Sequence, residues 1–182
     1  MIETVVSVTL PVEETLEIKK QRILPLGYEE SRAGGQKDAT SCVDAAVQGL
    51  KRISIVTGIH GDELEGQFVC YELTRRIKEN IENLKAIVDI YPALNPLGID
   101  SITRGFPAFE LDMNRIFPGL EDGSMAEHVA ARIISDLQGS DVCIDIHASN
   151  IFLREVPQIR VSEQTAEKLL PLAGCLNMDF IW

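Results

Sequence analysis

No apolar run in this chain approaches the roughly 20 residues that a membrane-spanning helix needs, so no membrane partner is expected. The N-terminus, Met1-Ile2-Glu3-Thr4, has neither the basic n-region nor the long apolar h-region of a secretory signal. Basic residues are scarce: there are 17 Lys and Arg against 28 Asp and Glu, for a formal net charge of -11. A phosphate-binding surface needs the opposite balance, which argues against nucleic acid. An anionic small molecule is still compatible, because a few arginines can dominate the field inside a cleft. Paired cysteines are also lacking. Cys42, Cys70, Cys143 and Cys175 are scattered with no C-x-x-C spacing. Buried, reduced thiols in a cytoplasmic protein are therefore expected rather than disulfides. There is no internal repeat and no low-complexity tract.

What is present is ordinary for a globular chain: 182 residues, 45% hydrophobic and 25% charged, enough for one domain with its own core. Met1 to Arg22 alternates apolar and polar residues, as in Val5-Val6-Ser7-Val8-Thr9-Leu10, and predicts one or two antiparallel strands. Ser31 to Thr40 is polar and contains Ala33-Gly34-Gly35-Gln36, which predicts a loop. Cys42 to Gly49 predicts a short helical turn. From Lys51 the pattern changes. Ile53–Ile59 is a nearly continuous apolar strand, as expected where both sheet faces are covered. Leu64 to Ile81 predicts an amphipathic helix with Val69, Leu73, Ile77 and Ile81 inward. Ala86–Tyr91 is a second buried strand. Ser124-Met125-Ala126-Glu127 is a capping-box signature opening a helix through Val129, Ile133 and Leu137. Val142–Ile146 is a third strand, Ser162 caps a helix ending near Gly174, and Met178 to Trp182 begins one more strand. This alternation predicts an α/β fold with a mixed, largely parallel sheet flanked by helices. Tyr91 to Gly123 is long and irregular, and such loops are usually functional.

The chain has three histidines, and two follow predicted strands. His60 opens His60-Gly61-Asp62-Glu63, and His147 follows Val142-Cys143-Ile144-Asp145-Ile146. Ligands of open α/β sheets bind at the carboxyl ends of the strands. His60, Glu63 and His147 are therefore a candidate set for one zinc ion, with a fourth position open to water as in catalytic sites. Asp145 shares a strand face with His147 at i+2, and Asp62 stands in the same spacing to His60. Both are candidates for holding an imidazole from behind. His128, in mid-helix, is expected to be a partly exposed helix residue. The irregular stretch supplies cations and an amide: Arg104 in Ile102-Thr103-Arg104-Gly105, and Asn114 with Arg115 in Asp112-Met113-Asn114-Arg115. A guanidinium fork matches a carboxylate bidentately, so a carboxylate-bearing small molecule is the expected partner.

These elements together resemble the succinylglutamate desuccinylase/aspartoacylase family, the deacylase branch of the zinc carboxypeptidase superfamily. The matching residues run in order: Gly58-Ile59-His60-Gly61-Asp62-Glu63, Asn95-Pro96, Arg104, Asp112-Met113-Asn114-Arg115 and Asp145-Ile146-His147. The resemblance covers Lys51 to Trp182. It implies one zinc ion on His60, Glu63 and His147, a substrate carboxylate on Asn114 and Arg115, and an Arg104 that polarises the scissile carbonyl and stabilises its oxyanion. It implies hydrolysis of N-acyl amino acids or related small carboxylates. It divides the chain into N-terminal strands and a loop over 1–50, packed on a main domain, and the N-terminal part of a zinc carboxypeptidase-like catalytic domain over 51–182.

One feature of the family is not met. Its general base is a glutamate on a strand well downstream of the third ligand, and Glu155, Glu163 and Glu167 do not fit that placement. The expectation is therefore a C-terminally truncated domain with the base outside this chain and a sheet edge open to pairing. Two other readings stand beside hydrolysis: a metal- and carboxylate-binding module without catalysis, and a structural α/β domain without metal.

Overall fold

Alternating strands need a partner to satisfy their backbone, and the first two find each other. In the computed structural model, which describes residues 1–28, 50–107 and 111–182, β1 (Ile2–Thr9) and β2 (Thr15–Ile23) pair antiparallel. The loop expected over Ser31–Thr40 and the helical turn expected over Cys42–Gly49 lie outside the described residues. β3 (Arg52–Thr57), α1 (Glu65–Glu79), β4 (Ile87–Tyr91), α2 (Pro96–Ser101), α3 (Met125–Leu137) and β5 (Val142–Ile146) follow. The sheet order is β1-β2-β4-β3-β5. β2 runs antiparallel to β4, while β3 lies parallel to both β4 and β5. The mixed α/β sheet is the expected one, and β5 forms its edge. The chain divides into two units, Met1–Ile151 and Phe152–Trp182.

The two helices that follow β3 and β4 cover opposite faces of the sheet. α3 buries Ala126, Val129, Ala130 and Ile133 against Val5, Ile18, Val56 and Tyr91. α1 packs Cys70, Leu73 and Ile77 against Ile55, Val88 and Ile90. Each aliphatic side chain buried this way contributes about 1.5–3 kcal/mol. The capping box is formed: Ser124 Oγ accepts from the Glu127 backbone N–H, and the Ser124 backbone N–H donates to Glu127 Oε2. The inward stripe of α1 differs from the periodic expectation. Val69 is exposed, and Gly66 and Cys70 are buried instead. A glycine at the contact lets the helix lie so close to β3 that a Cβ on Gly66 would come within 1.9 Å of Thr57 Oγ1, and Cys70 takes the inward place expected of Val69 while Leu73, Ile77 and Ile81 pack inward as expected. Burial pushes the Cys70 thiol up to about 11. Cys143 is exposed rather than buried, because edge strand β5 alternates between partly buried and exposed positions.

A group of buried charges joins the N-terminal hairpin to the central strands. Asp89, fully buried on β4, accepts a bidentate pair from Arg22 of β2 at 2.7 Å and 2.7 Å and a third bond from Arg52 of β3 at 2.8 Å. Lys20 donates to Asp136 of α3 at 2.6 Å. Removing one member of such a set leaves an uncompensated buried charge, which is far costlier than the net worth of the set.

Phe152–Trp182 is a unit of its own. β6 (Gln158–Ile159) and β7 (Phe180–Ile181) pair parallel around α4 (Ala166–Ala173). The Trp182 indole N–H donates to Gln158 Oε1 at 2.6 Å, and the Arg160 guanidinium lies 5.0 Å over its ring. The helix opens at Ala166 after a 3-10 turn over Glu163–Thr165, and Ser162 makes no side-chain cap. Its hydroxyl is taken up by Thr165 Oγ1. Among the described residues no helix is long and apolar enough to cross a membrane.

Candidate metal centre

α1, which follows β3, and α3, which leads into β5, lie on opposite faces of the sheet, and ligands of such sheets bind at the carboxyl ends of strands where the crossovers diverge in this way. Thr57 Oγ1–H donates to the Ile146 carbonyl at 3.0 Å, tying the ends of β3 and β5 together. Gly58 turns the chain with a φ of 71°, a left-handed conformation that glycine adopts without strain. Gly61 then lies against α2: a Cβ there would fall 2.0 Å from the Gly98 carbonyl carbon. From His60 to Glu63 the backbone closes a tight turn, the Glu63 N–H donating to the His60 carbonyl. In such a turn positions i and i+3 share a side, so His60 and Glu63 converge.

They meet His147 at one point. Ligand atoms of His60, Glu63 and His147 all lie within 4.8 Å of one another, and this group could hold a metal ion. His60 Nδ1 is 2.7 Å from Glu63 Oε1, and His147 Nδ1 is 3.1 Å from Glu63 Oε2. The ring centroids are 5.0 Å apart. Both imidazoles thus turn Nδ1 toward the carboxylate, and each rests its Nε2 on another carboxylate: Asp112 Oδ1 at 3.1 Å for His60, Asp145 Oδ2 at 2.9 Å for His147. Metal-bound histidines nearly always have such a partner behind them. Two imidazoles and a carboxylate, each with a ligand atom within 4.8 Å of the other two, fit a zinc ion in donor type. His60 and Glu63 are buried, and the His147 side chain is one-third exposed, so the cluster opens to solvent on one side.

Glu63 is the hub. Besides the two imidazoles it accepts from the Ala148 backbone N–H at 2.8 Å and from Arg104 Nη1–H at 3.2 Å. The hydrogen bond to Asp145 raises the His147 pKa, burial opposes it, and the charges of Asp145 and Glu63 raise it further, for a net upward shift. Burial would raise the Asp112 carboxyl, but the His60 ring, the Asn114 N–H and the Arg104 charge outweigh it and hold it below the ordinary carboxylate range.

The remaining candidate residues line one rim. Asp112 Oδ1 also accepts from the Asn114 N–H at 2.9 Å, capping the 3-10 turn Met113–Arg115. Arg104 Nη2 lies 3.5 Å from Asp112 Oδ2. The Arg104 side chain is 50% exposed and that of Arg115 80%, so both guanidinium groups reach solvent beside the cluster. His128 stays on α3, its Nδ1–H donating to the Glu121 carbonyl at 2.8 Å. Glu155, Glu163 and Glu167 belong to the second unit.

Asp62 is not behind His60. Both ring nitrogens of His60 are taken by Glu63 and Asp112, and Asp62 Oδ1 is buried without a partner among the described residues. The i+2 relation holds in a strand, as for Asp145 and His147, and fails in the turn after β3. Read from sequence, Asp112 stands within Asp112-Met113-Asn114-Arg115 without a role of its own; the structure places it behind His60.

A family model, the succinylglutamate desuccinylase/aspartoacylase catalytic domain, matches residues 49–180. The chain is 28% identical over 157 residues to the N-alpha-acetyl-L-2,4-diaminobutyric acid deacetylase of Halomonas elongata, covering 81% of this chain and 44% of that protein. In structure it is similar to an aspartoacylase family protein from Mesorhizobium loti, with TM-score 0.73, 21% identity, and 100% of this chain on 52% of that one. A succinylglutamate desuccinylase/aspartoacylase from Rhodobacter sphaeroides superposes with TM-score 0.66 and 25% identity, 88% of this chain covering 43% of that one. The chain spans about half the length of the relatives it matches.

Proposed function

The chain belongs to the succinylglutamate desuccinylase/aspartoacylase catalytic-domain family, and on that footing we propose that it serves zinc-dependent hydrolysis of the amide bond in N-acyl amino acids or related small carboxylates. The observation that carries this reading is the convergence of His60, Glu63 and His147 within 4.8 Å at the carboxyl ends of β3 and β5. These three residues would hold one zinc ion. Zinc on three protein ligands leaves a fourth position open, lowers the pKa of water and polarises a carbonyl.

The chain's own residues supply the rest. Asp112 and Asp145 hold the two imidazoles by Nε2, so that Nδ1 of each faces Glu63 and would be available to the ion. Arg104, anchored at 3.2 Å from Glu63, brings a fixed positive charge to the cluster edge, where it would stabilise the oxygen of an attacked carbonyl. Asn114 and the exposed Arg115 would bind the substrate carboxylate through an amide and a guanidinium fork. The small carboxylate partner follows from these donors and from names borne by the relatives, a deacetylase of an acetylated amino acid among them. The free thiols of Cys70, Cys143 and Cys175 support a reducing, cytoplasmic setting.

A second reading, zinc and carboxylate binding without turnover, is favoured by one observation. Among the described residues, the carboxylates that touch the cluster, Glu63, Asp112 and Asp145, each lie within hydrogen-bond distance of one of its imidazoles, so the geometry marks none of them as a separate general base. The experiment is metal analysis together with assay of N-acetylated and N-succinylated amino acids. Hydrolysis yields one zinc per chain and release of the free amine. Zinc and carboxylate binding with no amine at high protein concentration selects the second reading. Retention of metal and activity by both His60→Ala and Glu63→Ala removes the ligand assignment.

A further inference from the structure

Asn95 is fully buried, yet it touches neither the metal cluster nor the rim, and its side chain uses its hydrogen-bonding capacity nearly in full. Oδ1 accepts from the Gly98 N–H at 2.9 Å, capping α2. The Nδ2 amide donates to two carbonyls, Ile59 at 3.3 Å and Gly105 at 3.1 Å. Those two residues are the immediate neighbours of His60 and Arg104. The Asn95 backbone N–H adds a bond to the Gly58 carbonyl at 2.8 Å. Beside this, the Gly61 N–H donates to the Thr103 carbonyl at 3.0 Å, and the Thr103 N–H to the Gly98 carbonyl at 2.9 Å. The turn 58–61 and the loop 103–105 are thus stitched to each other and to the start of α2, with one carboxamide at the middle. A cap alone needs only the Oδ1 acceptor. The two amide donors have no capping role, and both are spent on the loops that carry the site.

We propose that Asn95 is a positioning residue, a latch that holds the metal-ligand turn and the Arg104 loop at one spacing. It rests on the zinc reading for its consequence: a carbonyl lying between the ion and the Arg104 guanidinium meets both only if that spacing is kept, and misplacement by about 1 Å can cost on the order of 100-fold in rate. An acid at this position keeps the cap but turns an oxygen toward two carbonyl oxygens, driving the loops apart. A methyl takes the amide donor from the buried Ile59 carbonyl and leaves the half-buried Gly105 carbonyl only the Thr103 hydroxyl at 3.4 Å.

The test is amide hydrogen exchange at Gly61 and Phe106 with and without Zn2+, on the wild-type chain and on Asn95→Asp and Asn95→Ala, with Zn2+ affinity from chelator competition. In the wild type, Zn2+ slows exchange at both amides at least tenfold, although Phe106 and its loop carry no ligand atom. In the variants protection at Gly61 persists, protection at Phe106 falls below threefold, Zn2+ binds about tenfold more weakly, and α3 amides exchange as before. A merely structural asparagine would speed exchange throughout and leave the Zn2+-induced protection of Phe106 intact, and that result overturns the latch. If neither variant folds, Asn95→Ser, which keeps a capping oxygen but has no amide donors, takes their place: retained joint protection overturns the latch, and loss of the Zn2+-induced protection at Phe106 upholds it; protection confined to Gly61 in the wild type overturns it outright. If the wild type binds no Zn2+, the zinc reading falls. The latch is then judged from zinc-free exchange, upheld by a common opening rate at the two amides and overturned by independent rates.

Discussion

Asp112 Oδ1 lies 3.1 Å from His60 Nε2 although 52 positions separate the two residues. The same oxygen caps the turn that carries Asn114 and Arg115. One carboxylate thus orients the imidazole of a proposed metal ligand and fixes the backbone of the exposed polar rim. Asp145 repeats the first half of that role for His147 over a distance of two residues.

Substituting the carboxylates behind the imidazoles tests that arrangement. Asp112→Asn and Asp145→Asn are each expected to weaken Zn2+ binding by about 10–100-fold. Asp62→Asn, which removes no contact to His60, is expected to change it less than about twofold. Chelator-competition titration measures all three. Equal losses for Asp62 and Asp112 would contradict the geometry.

The ligand set predicts a thermal response. Zn2+ at 100 times its dissociation constant is expected to stabilise the wild type by about 2.7 kcal/mol, seen as a rise in melting temperature that EDTA reverses. His60→Ala, Glu63→Ala and His147→Ala should each abolish that rise and retain less than about a tenth of the bound zinc. A variant that still responds identifies a residue outside the ligand set.

Gly61 is predicted to reject a methyl group. A Cβ there meets the Gly98 carbonyl carbon at 2.0 Å and the Gly98 oxygen at 2.2 Å, backbone atoms that cannot rotate away. Gly61→Ala should cost about 1–3 kcal/mol as overpacking and loosen Zn2+ binding. Gly174→Ala, with open space around it, should stay within about 0.5 kcal/mol of wild type. Urea unfolding of the pair provides the comparison.

Asp89 predicts the acid side of the stability profile. Burial would raise its carboxyl, but the hydrogen bonds and charge of Arg22, with the charges of Lys20 and Arg52, outweigh burial and hold it below the ordinary range. A depressed folded-state pKa gives stability that is present above the unfolded value, about 3.9, and is lost as pH falls through the lower folded one. Asp89→Asn should cost about 3–5 kcal/mol at pH 7 and show a flatter decline toward pH 3. Unfolding free energies at pH 7, 5 and 3 measure this; parallel profiles for the two proteins would remove Asp89 as the cause.

Much of the scaffold was legible in the residues because its signals are local. The continuous apolar run before His60 became β3, and Ser124 with Glu127 formed the capping box. The apolar runs put His60 and His147 each at the carboxyl end of a strand, where ligands of such sheets bind; that β3 and β5 are neighbours came only with the strand order. Periodicity found Leu73, Ile77 and Ile81 on the inward stripe of α1 but misplaced Val69, where the close approach of Gly66 to Thr57 brings Cys70 inward instead.

Residue types and local periods by themselves determined the strands, the long helices and the chemistry of the candidate ligands, since each depends on contacts within about four positions. Only the tertiary structure decided which acid stands behind His60, how Arg22 and Arg52 share Asp89, and that Asn95 ties the turn 58–61 to the loop 103–105. Those pairings join residues from different strands and loops. They follow from strand order and from the way the chain closes its long connections, and neither quantity has a period that can be read along the sequence.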